Sequence, residues 1–392
     1  EALIEFTAKF DKTDLSINEI KFSEAEINSL ISQVPSEDKN SLQVAAERIT
    51  NFHQKQVPKD NYWIDDKGVG LGWIWRPINR VGLYVPGGTA SYPSSVLMNA
   101  IPATIAGVKE VAMATPSVAS KINPLVILAA KIAGVKDIYK IGGAQAIAAL
   151  SYGTNRVSAV DKIVGPGNAF VAEAKRQVFG RVGIDMVAGP SEVLIIADEE
   201  NDPNWIAVDL LSQAEHDPSS QSVLITTSLE LAVSVEEAVE KNLLKLDRRK
   251  IAQESWEANG VIILVDNLNE ACNLSNLFAP EHLQLCVSDP DGLVPKIHNA
   301  GSIFLGAWTP EALGDYVIGT NHVLPTGRSA RFSSGLSVLD FMKRLFVSKS
   351  SRKAISEIGL HGQVLAKSES LGAHELSLLL RLNEIAGSEN EQ

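Results

Sequence analysis

Cysteine is nearly absent from this chain: Cys272 and Cys286 are the only two in 392 residues. They are too few for a disulfide framework and lack the CxxC spacing of a thiolate zinc site, which suits a reducing compartment. Positive charge is short as well. Lys and Arg total 35 against 47 Asp and Glu, a formal net charge of −12, whereas a phosphate-backbone partner needs a surplus of cations on one face. Nucleic acid is therefore not expected as a ligand. No run reaches the roughly 18 to 20 apolar residues of a membrane helix, and no apolar segment with a cleavage site opens the chain, so no membrane partner is expected either. The dinucleotide fingerprint GxGxxG is missing too, and hydride transfer cannot be inferred from it. The chain starts at Glu1 rather than Met and runs straight into Ala2, Leu3, Ile4, Phe6 and Phe10. A segment ahead of it is expected to have been removed or left out.

What is present is the balance of a globular protein, 45% hydrophobic and 21% charged, at a length that suits two cores. Residues 1 to 56 read as charged amphipathic helices, as in SEAEINSLISQV and SLQVAAERITNFHQKQ. From Arg80 the character changes. Short β-branched runs (RVGLYV, EVAMAT, DIYKIGG, DKIVGPG) alternate with Ala-rich helical ones, and a second such series starts at SEVLIIAD and continues to GSIFLG. This pattern predicts an α/β fold of two tandem, incomplete Rossmann-like domains, parallel sheets flanked by helices. After GTNHVLPTG the alternation stops, and the remainder predicts a helical C-terminal arm with exposed apolar positions at Leu339, Phe341, Met342, Leu345 and Phe346. A segment too small for its own core must pack on something.

Several clusters carry chemistry. In LLSQAEHDPSSQ, Gln213 and His216 stand at i and i+3 on a helix, within reach of a common ion. A helix end stopped by Pro218, with His216 facing the negative dipole, accounts for the pair equally well. In APEHLQL, Glu281 and His282 open a strand, where neighbours point to opposite faces and need not act on one atom. A histidine of near-neutral pKa at a strand junction on the C-terminal rim of an open sheet suits proton transfer. Taken singly, a surface Glu and a half-buried His are the plainer reading. GDYVIGTNHVLPTG, neither clear helix nor clear strand, holds Asp315 and His322; Asp315 would complete an oxygen/nitrogen metal sphere with Gln213 and His216, or else form an Asx-turn. His374 lies alone in the arm and reads from its surroundings as a partly buried histidine. Three glycine-rich turns, VPGGTASYPSS, IGGAQA and VGPGNAF, each follow a strand and open a helix. With Tyr84, Gln145 and Asn168 beside them they favour a large anionic ligand, although glycine is native to ordinary βα turns.

Together RVGLYVPGG, GGAQAIAAL, DKIVGPGNAFVAEAKRQV, AGPSEVL, LLSQAEH, APEHL, GSIFLG and GDYVIGTNHVLPT resemble histidinol dehydrogenase, in order, from about residue 1 to the final helix. The resemblance implies a zinc-dependent, NAD-linked enzyme that oxidises L-histidinol to L-histidinaldehyde and then to L-histidine. By motif, zinc ligands fall on Gln213, His216, Asp315 and His374, and the acid/base pair on Glu281 and His282. NAD contacts fall on Tyr84, Gln145 and Asn168. Substrate contacts fall on Ser191 and Glu369, together with Gln213, His216, His282, Asp315 and His374. His322 matches a further family histidine near the site. The resemblance also implies a homodimer in which the arm supplies His374 to the partner's site. Family members carry some tens of residues ahead of EFTAKFDK, so oligomer contacts are where this chain is expected to depart.

Domains are expected at 1–84 plus 191–336, carrying most zinc and acid/base residues, at 85–190 for NAD, and at 337–392 as the dimerisation arm. A cytoplasmic location is expected, or a plastid stroma if a transit peptide has been removed. The competing readings are a dehydrogenase of the same fold for another small alcohol, and a non-catalytic metal- or nucleotide-binding relative. Glu369 and the TNH segment speak for histidinol, and the presence of both Glu281 and His282 speaks for catalysis.

Overall fold

A computed structural model describes residues 1–87, 92–119, 121–187 and 189–389, the side chains of the last two excepted. The chain divides into two compact units, residues 1–57 with 78–341 and residues 58–77 with 342–392.

The larger unit opens with α1 (Ala2–Phe6), a π-helical turn (Thr7–Asp11), α2 (Glu24–Ser32) and α3 (Ser36–Gln54). Helix α2 starts where Ser23 and Glu26 form a reciprocal capping box, each satisfying an amide that the helix leaves free. The next two strands, β1 (Asn61–Ile64) and β2 (Gly70–Pro77), belong to the smaller unit. The first parallel sheet follows: β3 (Arg80–Tyr84), α4 (Pro93–Ile105), β4 (Glu110–Ala114), α5 (Pro124–Ile132), β5 (Asp137–Tyr139), α6 (Gly143–Tyr152), β6 (Lys162–Val164), α7 (Ala169–Val178) and β7 (Gly183–Ile184). Its strand order is β5-β4-β3-β6-β7. Helices close over it because its strands carry apolar residues on both faces, as the fully buried Val81, Leu83, Ala112, Met113 and Ile163 show.

The second sheet repeats the plan with β8 (Glu192–Ala197), α8 (Pro203–Ala214), β9 (Gln221–Thr226), α9 (Leu229–Leu243), α10 (Arg249–Asn259), β10 (Val261–Leu264), α11 (Leu268–Phe278), β11 (His282–Cys286), α12 (Pro290–Leu293) and β12 (Ser302–Leu305). Its order, β10-β9-β8-β11-β12, is the same third-second-first-fourth-fifth arrangement as the first. Two apolar clusters cover its faces, one against α8 and α9 and the other against α11. The α/β reading with parallel sheets therefore stands.

Beyond β12 the structure refines the expectation. Asp315 sits in a short helix, α13 (Glu311–Tyr316), started by Pro310, and the chain is irregular only after it. The smaller unit pairs β2 with β1 and with β13 (Met342–Lys349), both antiparallel, followed by a hairpin of α14 (Arg352–Ser368) and α15 (Gly372–Glu389). The C-terminal region is helical as expected from Arg352, but it is entered through a strand. The run MKRLFVSK is rich in β-formers and finds eight partners along β2. Phe341, expected to be exposed, is fully buried in the larger unit.

Candidate functional site

In the second sheet the polar residues gather at the amino ends of the strands. Glu192 begins β8 and His282 begins β11, and the two strands are hydrogen-bonded neighbours. This corrects the C-terminal rim expected from the sequence. The chain reaches β11 through Ala279, a buried residue in the left-handed region at φ +50°, which ends α11 and turns Pro280 and Glu281 into the rim. A side chain at Gly301 would sit 2.5 Å from the Glu281 carbonyl, so only glycine lets β12 come this close.

One residue's backbone organises the acid and the base. The Glu192 amide donates to Glu281 Oε2 at 2.9 Å, and the Glu192 carbonyl accepts from His282 Nδ1 at 3.1 Å. Because Glu281 precedes the strand, its carboxylate folds back to lie 3.7 Å from His282 Nδ1. The two neighbours thus meet on one side of the rim, contrary to the strand alternation expected. With Nδ1 engaged as donor, His282 Nε2 carries the lone pair; it is buried without a hydrogen-bond partner and lies 3.8 Å from Asp315 Oδ1. Burial pushes the His282 pKa down to about 4 against the opposing pull of Asp315, so the ring is a neutral base. Burial raises Glu281 well above the usual carboxylate range, with Glu192 and Asp315 adding to the shift against the Glu192 amide bond.

Around this pair stand the candidate ligands. Gln213 lies in the last turn of α8, fully buried, with both amide atoms unpartnered. His216 follows two residues beyond the helix end, its amide bonded to the Gln213 carbonyl at 3.1 Å, so a tight turn keeps the i, i+3 relation after the helix has stopped. His216 is near enough to oppose protonation of both His282 and His322. His322 Nδ1 meets the Asp315 carbonyl at 3.1 Å, and its Nε2 lies 3.3 Å from Ser95 Oγ. Ser191 is half-buried just ahead of β8.

Ligand atoms of His282, Glu311 and Asp315 lie within 4.8 Å of one another. Of these, Glu311 went unnoticed in the sequence, although an acid four residues before Asp315 on a helix was there to find. It is buried, and burial together with Asp315, Glu281 and Asp209 lifts its pKa well above the usual range. The unpartnered amide oxygen of Gln213 and the Asp315 carboxylate are donors of the kind that suit a divalent cation. His374 and Glu369 lie in the smaller unit, both exposed, in the first turn of α15 and at the end of α14.

The first sheet offers its carboxyl rim instead. Tyr84 ends β3, and its hydroxyl accepts from the Gly143 amide at 3.0 Å, where α6 begins. Gln145 is half-buried in the first turn of α6, and Asn168 caps α7 through Val171 N at 3.1 Å. Of the first glycine turn, residues 88–91 lie outside the described residues. The carboxyl rim of the first sheet and the amino rim of the second meet at His322, which touches both Ser95 in the first turn of α4 and Asp315.

Two five-stranded parallel sheets of one topology, with a buried acid and base where their rims meet, define a Rossmann-like α/β enzyme. The acetylating aldehyde dehydrogenase of Geobacillus thermoglucosidasius shares this fold at TM-score 0.53 and 13% identity, over 89% of this chain and 97% of that one. A model of the histidinol dehydrogenase family matches residues 1–382. The histidinol dehydrogenase of Ruegeria pomeroyi is 57% identical over 386 residues, 98% of this chain and 89% of that protein. The crystal structure of histidinol dehydrogenase from Elizabethkingia anophelis superposes with TM-score 0.95 at 41% identity, over 98% of this chain and 89% of that one. The chain belongs to the histidinol dehydrogenase family, whose members are NAD-dependent oxidoreductases of histidine biosynthesis. Among the described residues no helix is long and apolar enough to cross a membrane.

Proposed function

We propose that this chain oxidises L-histidinol to L-histidine through L-histidinaldehyde, with NAD as oxidant and zinc as the resident metal. The observation that carries the reading is the Glu192 backbone, whose amide fixes Glu281 and whose carbonyl leaves His282 Nε2 bare and neutral beside Asp315. Residues 85–190 serve the cofactor in this reading, and 1–84 with 191–336 supply most of the metal and acid/base groups.

Zinc, when bound by Gln213, His216, Asp315 and His374, supplies a centre that orients the amine and imidazole of the substrate. NAD, held by Tyr84, Gln145 and Asn168, supplies the hydride acceptor. His282 takes the alcohol proton at Nε2 as hydride leaves carbon, giving the aldehyde. Glu281 accepts a proton from water adding to that aldehyde while His282 returns its proton to the carbonyl oxygen, so His282 is again free to take the proton of the resulting gem-diol in the second hydride transfer. Ser191 and Glu369 complete the substrate contacts. His374 and Glu369 come from the second subunit of a homodimer; the exposure of both supports this, as do the exposed Leu360, Val364, Leu365, Leu376 and Leu380 of the helical hairpin. The test is NADH yield from L-histidinol and NAD before and after chelation and return of zinc. Two NADH per histidinol with zinc-dependent turnover is the expected result, and absence of NADH from the zinc-loaded protein overturns the reading.

A further inference from the structure

Outside the acid/base cluster, one pair of charged side chains is buried more deeply than any catalytic scheme needs. Lys175 of α7 and Asp185, just past β7, are 3% and 2% exposed and form an ion pair. Both also bind the backbone of the same residue. Asp185 Oδ2 accepts from the Gly165 amide at 2.8 Å, and Lys175 Nζ donates to the Gly165 carbonyl at 2.9 Å. Asp185 Oδ1 takes the Met186 amide as well, at 2.7 Å. Gly165 stands at φ +111°, and a side chain there would lie 2.1 Å from the Tyr84 carbonyl, so its peptide packs directly on the end of β3.

We propose that Lys175 and Asp185 are positioning residues for the cofactor. By holding both polar atoms of Gly165, they fix the turn that runs from Tyr84's neighbour at 165 to the Asn168 cap of α7. Tyr84 and Asn168 are thereby presented as one edge. Neither side chain touches the ligand: at this burial the lysine ammonium faces a carboxylate and a carbonyl, and the pair is neutral as a unit. A lysine so close to a glycine-rich turn is commonly read as a phosphate ligand, and its partners here assign it the other role. The inference rests on the NAD reading above.

The conservative disruption is the double variant Lys175→Met/Asp185→Asn, which removes both charges together, leaves one side-chain oxygen to accept from the Gly165 or the Met186 amide, and frees the Gly165 carbonyl. Truncating one partner alone strands a buried charge and tests folding instead. The readout is the affinity for NADH by fluorescence titration, beside zinc content, melting temperature and the KM for histidinol. Expected is a rise of about ten- to a hundredfold in the NADH Kd, as for a misplaced binding group, with histidinol KM and zinc content unchanged. A folded double variant that binds NADH like the parent overturns the proposal. A parent protein that binds no NADH removes the cofactor reading itself, a different failure. Should the double variant not fold, hydrogen exchange at the Gly165 amide of the intact protein decides. Slow exchange without NADH supports a preformed clamp, and fast exchange that slows only with NADH refutes it.

Discussion

The first sheet collects Tyr84, Gln145 and Asn168 where its strands end, whereas the second collects Glu192, Glu281 and His282 where its strands begin. The strand order is the same in both. The difference follows from which helix ends reach each rim. At the carboxyl rim of the first sheet α4, α6 and α7 start, presenting positive dipole ends that suit an anionic cofactor. At the amino rim of the second, the negative dipole end of α8 finishes near α13 and Asp315, a setting that suits a cation and proton transfer. One topology, used from opposite sides, brings complementary electrostatics to a shared seam at His322.

If the rims divide the labour this way, each can be disabled without the other. The largest effect is expected from metal removal: chelation should abolish histidinol oxidation, zinc should restore it, and NADH affinity should stay within about twofold, as for sites that share no partners. An equal loss of NADH binding on chelation would break the comparison. Next is His282→Asn, which should lower kcat by about 10²- to 10⁴-fold, the usual worth of a positioned base, while the NAD KM holds. A kcat within a factor of a few of the parent would remove His282 from proton transfer.

A pH effect comes third. Asp209, which accepts from Gln284 Nε2 at 2.9 Å, is pushed by burial from 3.8 to about 6. Folding therefore takes up a proton between those values. The stability gained by keeping the acid protonated is complete below 3.8 and is lost as pH rises through about 6. The gap corresponds to about 3 kcal/mol. Asp209→Asn should flatten the fall in urea midpoint across the window from 3.8 to about 6; an unchanged slope would assign that fall to other groups. The smallest effect is at the opposite rim. Asn168→Ala should cost about 1 kcal/mol as a lost helix cap and raise the NAD KM, with zinc content intact by metal analysis.

Both sheets were legible from the sequence because β-branched runs alternating with Ala-rich ones leave little choice of class. QAEH, PEHL and GDY stood out because polar side chains are dense there against an apolar background. Glu192 left no such sign: it works through its peptide, which every residue possesses, and only the pairing of β8 with β11 brings that peptide to Glu281. Glu311 was missed because its burial is a tertiary fact. The rim was misplaced for a related reason, since strand direction is readable from sequence but not which end the neighbouring sheet will meet. Strand β13 was hidden by its company, eight residues ahead of two long helices.

The attachment of Glu281 and His282 to one main-chain unit has a consequence for how the site is lost. The contacts belong to the register between two central strands, His282 opposite Val193, so no side-chain replacement at 192 other than proline severs them. A slip of one residue would turn His282 to the far face. Chemical competence is tied to the most cooperative part of the molecule rather than to a loop. As long as the subunits stay paired, gentle heating or mild urea should leave turnover intact until the second sheet itself opens, and the two should disappear in a single transition.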